Sequence, residues 1–328
     1  MRYVIYGAGA IGGAIAARLA EAEREVAVIA RGEHLDAIRK DGLRLETPTG
    51  TTVWRMEAVA SPSELEWRAD DVVILCMKTQ DAPPALEALR AAAGGEIAVV
   101  CGQNGVANER MALRRFRNVY AMVVMLPAAH LEPGVVIAQS KAATGILDTG
   151  RYPAGVDAVA RTLCRDLEAA TFSALPDPAV MRLKYAKLLM NLGNALQAAC
   201  APQGGSGGEI LAEARREAEL CYAAAGIDCA SAEEFRVRRA DFIQPAPVGG
   251  QMRGGGSSWQ SLARGKGSIE SDYLNGEIVL LGRLHGVPTP TNAALQEVAN
   301  EVATARGAPG SFPIDALRAR IEAHAARG

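Results

Sequence analysis

The stretch Arg2-Tyr3-Val4-Ile5-Tyr6-Gly7-Ala8-Gly9-Ala10-Ile11-Gly12-Gly13 decides the fold of this chain. Residues 2–6 form a short β-rich run, and Gly7-x-Gly9-x-x-Gly12 follows at once. Residues 14–22 carry the small and aliphatic side chains of a helix, and 25–29 form a second apolar run that ends at Ala30-Arg31. In a dinucleotide-binding turn the first glycine permits the tight bend, the second lets the backbone approach a pyrophosphate, and the third lets helix and strand pack closely. Peptide N–H groups and the positive end of the helix dipole then face the phosphates. The motif alone is weak in an Ala-rich chain. Its place between a strand and a helix assigns Gly7, Ala8, Gly9, Ala10, Ile11 and Gly12 to a cofactor site.

The end of the second run selects the cofactor. Asp or Glu at that point accepts hydrogen bonds from ribose hydroxyls and repels a 2′-phosphate, whereas a guanidinium pairs with one. This chain has Arg31 there. The expectation is NADPH in preference to NADH, with a solvated strand-end arginine as the alternative.

The chain has 328 residues, enough for two domains. Apolar residues make up 49% and charged residues 22%, with a formal net charge of -2, so there is no electrostatic footprint for nucleic acid or an anionic membrane. No run approaches the roughly 18 apolar residues of a membrane span. Arg18 and Glu21 interrupt the N-terminal run too early for a signal peptide. The six cysteines are dispersed and the four histidines have no ligand spacing, which points to buried free thiols, no metal and a cytoplasmic enzyme.

Strand-like and helix-like runs alternate through the first half. Helix is expected over 33–40, 84–93 and 154–169, and strand over 43–47, 51–55, 71–77, 96–101, 118–126 and 171–175. Residues 134–138 and 143–147 read as an antiparallel pair. This is the pattern of a Rossmann-type, doubly wound α/β sheet. Pro176-Asp177-Pro178 ends it. Helices are expected beyond, at 179–200, 207–225, 231–240, 257–263, 267–285, 292–305 and 313–326, with glycine-rich loops at 204–208 and 249–256. The expected domains are therefore 1–176, binding NADP, and 177–328, all-helical.

Ligands in open α/β sheets bind outside the carboxyl ends of the strands. Lys78 follows the 71–77 run, and Asn104 follows the 96–101 run in Gly102-Gln103-Asn104-Gly105. Each suits a ligand, and each is also compatible with an ordinary strand end or turn. Lys184, Lys187, Asn191 and Asn194 share one face of the 179–200 helix, as a narrow polar stripe among apolar residues. That stripe reads equally as a cleft lining or a solvated seam. Ser257-Ser258 and the stretch Ser268-Ile269-Glu270 form a third cluster, with Ser268 as a candidate cap and Glu270 in a first turn. Thr289-Pro290 reads as a helix start.

Taken in order, Gly7-x-Gly9-x-x-Gly12, Lys78, Gln103-Asn104-Gly105, Lys187-Leu-Leu-Met-Asn191, Ser257-Ser258, Glu270-Ser-Asp272-Tyr273-Leu274-Asn275-Gly276 and Gly286-Val-Pro-Thr289-Pro290 resemble the ketopantoate reductase family nearly end to end. The resemblance implies NADPH-dependent reduction of 2-dehydropantoate to pantoate, a step of pantothenate synthesis, with cofactor held between a Rossmann and a helical domain. By resemblance, Lys187 is the general acid and Glu270 a catalytic residue that hydrogen-bonds and orients substrate. Asn191, Asn194, Ser258 and Asn104 address substrate, Asn104 also nicotinamide, and Lys78 the junction of cofactor and substrate. The chain departs from the family pattern at Tyr185, where tryptophan is common, at Asn194, one residue early, and in the 201–208 loop. Two other readings stay open: reduction of a different 2-oxoacid, and a non-catalytic NADPH-binding sensor. The expected partner is a small-molecule 2-oxoacid, with a homodimer as an option.

Overall fold

A computed structural model describes residues 1–200, 207–239, 242–252, 254–265 and 267–327. The chain forms two compact units, Met1–Lys184 with Ala232–Arg253, and Tyr185–Ser231 with Gly254–Gly328.

The first unit begins β1 (Tyr3–Tyr6), α1 (Ala10–Glu21), β2 (Val26–Ile29), α2 (Gly32–Asp41), β3 (Leu43–Thr47), β4 (Gly50–Trp54) and β5 (Glu57–Val59). It continues with β6 (Val72–Leu75), α3 (Ala82–Ala93), β7 (Ala98–Cys101), α4 (Asn108–Leu113), β8 (Asn118–Met122), β9 (Ala128–Ala129), β10 (Val135–Ala138), β11 (Thr149–Arg151) and α5 (Ala158–Ala169). The helices that follow are α6 (Val180–Asn191), α7 (Gly193–Cys200), α8 (Gly208–Ala225), α9 (Ala232–Arg239), α10 (Ser257–Ala263), α11 (Asn275–His285), α12 (Pro290–Thr304) and α13 (Ile314–Ala325). None of the described helices is long and apolar enough to cross a membrane.

Seven strands make the main sheet in the order β11-β8-β7-β6-β1-β2-β5, parallel except for β11. Strands β1, β2, β6 and β7 are buried along almost their whole length, as a parallel sheet covered on both faces requires. One face packs Ile15, Leu19, Leu163 and Leu167 of α1 and α5, and the other Leu86 and Leu89 of α3. A second sheet, β4-β3-β10-β9, adds Leu43, Leu45 and Val136 to the first of these cores.

Several expectations give way here. Residues 143–147 do not pair with 134–138. Instead β10 runs parallel to β3, Val136 opposite Leu45, while Ile146 bridges Met125 and Ser173. Alternation shows that a run is a strand but not which strand it meets. Residues 171–175 make only isolated bridges, and β5 and α4 are too short to leave a periodic signal.

The reading of everything beyond 176 as one helical domain also needs amendment. Segment 232–253 belongs with the first unit, where Lys141 and Ala143 N–H groups donate to Gln244 and Phe242 carbonyls. Arg238 grips Asp148 there with two hydrogen bonds of 2.6 Å. The glycine run at 204–208 lies largely outside the described residues. Gly249 and Gly250, both at positive φ, turn the chain between the bridged residues Val248 and Gln251.

In the second unit Leu196, Leu295, Val298, Val302 and Leu317 form the core. The helix expected over 179–200 is broken at Leu192, whose carbonyl accepts a 3.2 Å hydrogen bond from the buried Asn275 side chain. The helix expected over 267–285 is likewise divided into a 3-10 turn, Glu270–Tyr273, and α11, because Leu274 leaves the helical region at φ -113, ψ -89. Ser268 is not a cap; Ile269 holds that position and makes no side-chain cap bond. Pro290 opens α12 as expected, yet Thr289 makes no cap bond either. The Glu217 carboxylate does that work, accepting from the N–H groups of Thr291 at 2.8 Å and Asn292 at 3.0 Å.

Candidate functional site

In the first unit the sheet register sets the site. Tyr6 lies opposite Ile29 and Leu75, and Leu75 opposite Cys101, so the carboxyl ends of β2, β1, β6 and β7 are level. The chain turns outward to either side of β1, which makes this edge the topological switch point of the sheet. Gly7–Gly12, Lys78 and Asn104 all leave strands along it.

Gly7 has φ +100 and runs so close to the β6 end that a Cβ would lie 2.9 Å from the Met77 nitrogen. A Cβ on Gly12 would lie 2.1 Å from the Gly7 oxygen, so helix and strand meet there only through glycine. Around Gly9 nothing lies within 4 Å of the Cβ position. Gly9 is the N-cap of α1 and offers no side chain to its first turn. The first N–H groups of a helix lack intrahelical partners. Together these form a concave, electropositive backbone cradle bordered by Ala8, Ala10 and Ile11, which fits a pyrophosphate. Arg31 stands exposed at the end of β2 as N-cap of α2. Lys78 is half-buried and caps a 3-10 turn at Thr79–Asp81. Asn104 is half-buried in a turn closed by Gly105 at φ +76.

The polar stripe of α6 divides. Lys184 is neither cleft lining nor solvated seam: it is 3% exposed, and its Nζ meets Glu109 Oε1 and the carbonyls of Cys101 and Gln103. Glu109 is itself fully buried. The lysine therefore fastens the backbone that carries Asn104. This partnership had no signal in the sequence, since α4 was not foreseen.

In the second unit Lys187 and Asn191 are half-buried on α6, one turn apart. The Asn191 side-chain oxygen, Oδ1, is buried without a hydrogen-bond partner among the described residues. An unpartnered buried acceptor is costly, and a ligand donor would relieve it. Beyond the break at Leu192, Asn194 lies against Gly256, its Oδ1 3.3 Å from the Cβ position, and the Gly256 N–H donates to Gln197 Oε1 at 2.9 Å. Helix α10 starts immediately after Gly256 and buries Ser258. Asn194 and the start of α10 are thus brought together. Glu270 is 5% exposed at the head of its 3-10 turn, with neighbours Ser271 and Asp272 held by Asn300. No cluster of three or more His, Cys, Asp or Glu suited to a metal ion occurs among the described residues.

Comparison with known proteins covers both units. The family model described as ketopantoate reductase PanE/ApbA matches residues 3–151, and that of the ketopantoate reductase PanE/ApbA C terminal matches 179–303. A 2-dehydropantoate 2-reductase of Mesorhizobium japonicum is 30% identical, covering 94% of this chain and 99% of its own. One from Halobacterium salinarum is 28% identical, covering 91% and 97%. Among solved structures, a PanE/ApbA family ketopantoate reductase from Ralstonia eutropha superposes with a TM-score of 0.79 at 28% identity, covering 93% of this chain and 99% of that one. A D-mandelate dehydrogenase in ternary complex with NADH and anilino(oxo)acetate shares the fold, with a TM-score of 0.78 at 22% identity over 93% and 99% of the two chains.

Proposed function

The chain belongs to the ketopantoate reductase family, oxidoreductases acting on a CH–OH group, and from that premise we propose that it reduces 2-dehydropantoate to pantoate with NADPH. The observation that carries this reading is the end-to-end match to relatives bearing that activity in their names, at 30% identity over 94% of the chain. The cofactor half is supported by the glycine cradle and by Arg31, an exposed guanidinium at the β2 end suited to a 2′-phosphate.

Gly7, Ala8, Gly9, Ala10, Ile11 and Gly12 would hold the pyrophosphate, Arg31 the 2′-phosphate, and Lys78 and Asn104 the nicotinamide end. Bound NADPH supplies the hydride. Reduction of a 2-oxo carbon leaves negative charge on its oxygen. The Lys187 ammonium stabilises that charge and gives up its Nζ proton to the oxygen. Asn191, Asn194 and Ser258 donate and accept hydrogen bonds at the substrate hydroxyl and carboxylate, and Glu270 orients the hydroxyl. A site built to hydrogen-bond a hydroxyl discriminates strongly against analogues lacking it. A cytoplasmic location and a homodimer belong to the same proposal.

The test is NADPH oxidation against a panel of 2-oxoacids. Preferred turnover of 2-dehydropantoate is expected. Equal kcat/KM for 2-oxoisovalerate would reassign the substrate.

A further inference from the structure

His34 lies in the first turn of α2, three residues after Arg31, with a hydrogen bond at each ring nitrogen. The Gly134 N–H donates to its Nδ1 at 2.8 Å. A nitrogen that accepts carries no proton, so the proton is on Nε2, 2.7 Å from the carbonyl oxygen of Ala8. The two contacts fix both the tautomer and the plane of the ring. Gly134 is positioned for this by the absence of a side chain: at φ +77, a Cβ there would lie 2.9 Å from that of Ala37 on α2. Its carbonyl is tied in turn to the Arg44 N–H at 2.9 Å.

The bond to Ala8 acts on the cofactor cradle. In a planar trans peptide the C=O and N–H of one unit point in opposite directions. With the Ala8 carbonyl held on His34, the Gly9 N–H is turned the other way. The Ala8 oxygen is also seated against α1, 2.7 Å from the position a Gly13 Cβ would take. We propose that neutral His34 is a positioning residue that presents the Gly9 N–H to the pyrophosphate of a bound dinucleotide, and that its protonation weakens cofactor binding. The inference rests on the cofactor reading above.

Protonation would set an N–H of His34 against the N–H of Gly134 and force the ring out of its plane. Burial lowers the His34 proton affinity, the Ala8 carbonyl opposes that, and His130 lowers it further. Among the described residues His130 is the titratable group that faces it, with ring centroids 4.1 Å apart, and its own Nδ1 lies 2.9 Å from the Val135 carbonyl. Glu33 and Asp36 on α2 are exposed, and Glu132 lies 4.0 Å from Arg44.

The experiment is calorimetric titration of the full chain with NADPH and with NADH, at about pH 8 and about pH 5.5, on either side of the ordinary histidine value. NADH is included because the 2′-phosphate of NADPH itself titrates near pH 6. For the wild type, both dissociation constants should rise in acid, by less than the roughly tenfold that an unshifted histidine would give at about pH 5.5. His34→Gln keeps a non-titrating amide donor. It should bind within about threefold of wild type at the higher pH and show no acid weakening with NADH. His34→Ala should bind both about five- to tenfold more weakly at the higher pH, again without a slope for NADH. Wild-type affinity in His34→Ala together with an unchanged slope in His34→Gln would overturn the inference while leaving the cofactor reading standing. A wild type that binds neither dinucleotide would overturn both. A wild type that prefers NADH but shows the His34 slope would correct the cofactor choice and support the inference, because the pyrophosphate is common to the two.

Discussion

The ammonium of Lys184 and the carboxylate of Glu109 form an ion pair sealed from solvent, with side chains 3% and 0% exposed. The same ammonium donates to the Cys101 and Gln103 carbonyls, so the pair is also the fastening of the turn that presents Asn104. Five elements of chain, β8 to α5, separate the partners in sequence, from α4 to α6.

Removing one partner of a buried pair leaves an uncompensated charge, at a cost of about 3–5 kcal/mol. Lys184→Met is expected to destabilise by that order in urea denaturation, and the double variant Lys184→Met/Glu109→Leu by much less. The family resemblance gives a role to Lys187 and none to Lys184. Its burial beside Glu109 gives Lys184 one in stability.

Cofactor choice should follow Arg31. A charge-assisted phosphate contact contributes about 1.5–3 kcal/mol, roughly ten- to a hundredfold in affinity. Arg31→Ala is expected to erase most of the preference for NADPH over NADH in parallel titrations. Arg31 stands exposed at the end of β2, so its thermal stability should hardly change.

Proton delivery should follow Lys187. A placed general acid contributes about 10²–10⁴-fold in rate. Lys187→Ala is expected to lower the single-turnover rate of ketone reduction by that order with little change in NADPH affinity. Near-normal single turnover would transfer the role to Lys78.

The carboxylate of Glu217 closes the start of α12 and also accepts from the Asn292 side chain at 2.7 Å. Glu217→Ala strands two helix N–H groups, each costing about 1–3 kcal/mol, and one of the two Asn292 amide protons, the other staying on the Ala214 carbonyl at 2.9 Å. A loss of at least 2 kcal/mol is expected in thermal or urea unfolding, and Glu217→Gln should recover part of it.

The sequence made the local geometry of the cradle legible because glycine spacing, a buried strand and a following helix all speak within a dozen residues. The strand-end positions of Arg31, Lys78 and Asn104 were legible for the same reason, each lying just past an apolar run. Partners far apart in the chain were not. Nothing near Lys184 announces Glu109, nothing near Thr289 announces Glu217, and nothing in 134–138 distinguishes β3 from 143–147 as its neighbour. The break at Leu192 was hidden too, since it depends on a hydrogen bond from Asn275, 83 residues away.

Segment 232–253 also bears on the order in which the protein is made. A chain growing on the ribosome has synthesised every strand of the main sheet by residue 151, but the Asp148 carboxylate, 1% exposed, waits for Arg238. The hydrogen-bonding groups of Lys141 and Ala143 wait for Gln244 and Phe242. The nascent first unit must therefore stay incomplete while residues 185–231 emerge, and it closes only when the chain has come back. A fragment cut at residue 176 would strand a buried charge, and the smallest piece able to finish the first unit extends past residue 251, whose carbonyl receives the Gln139 side chain.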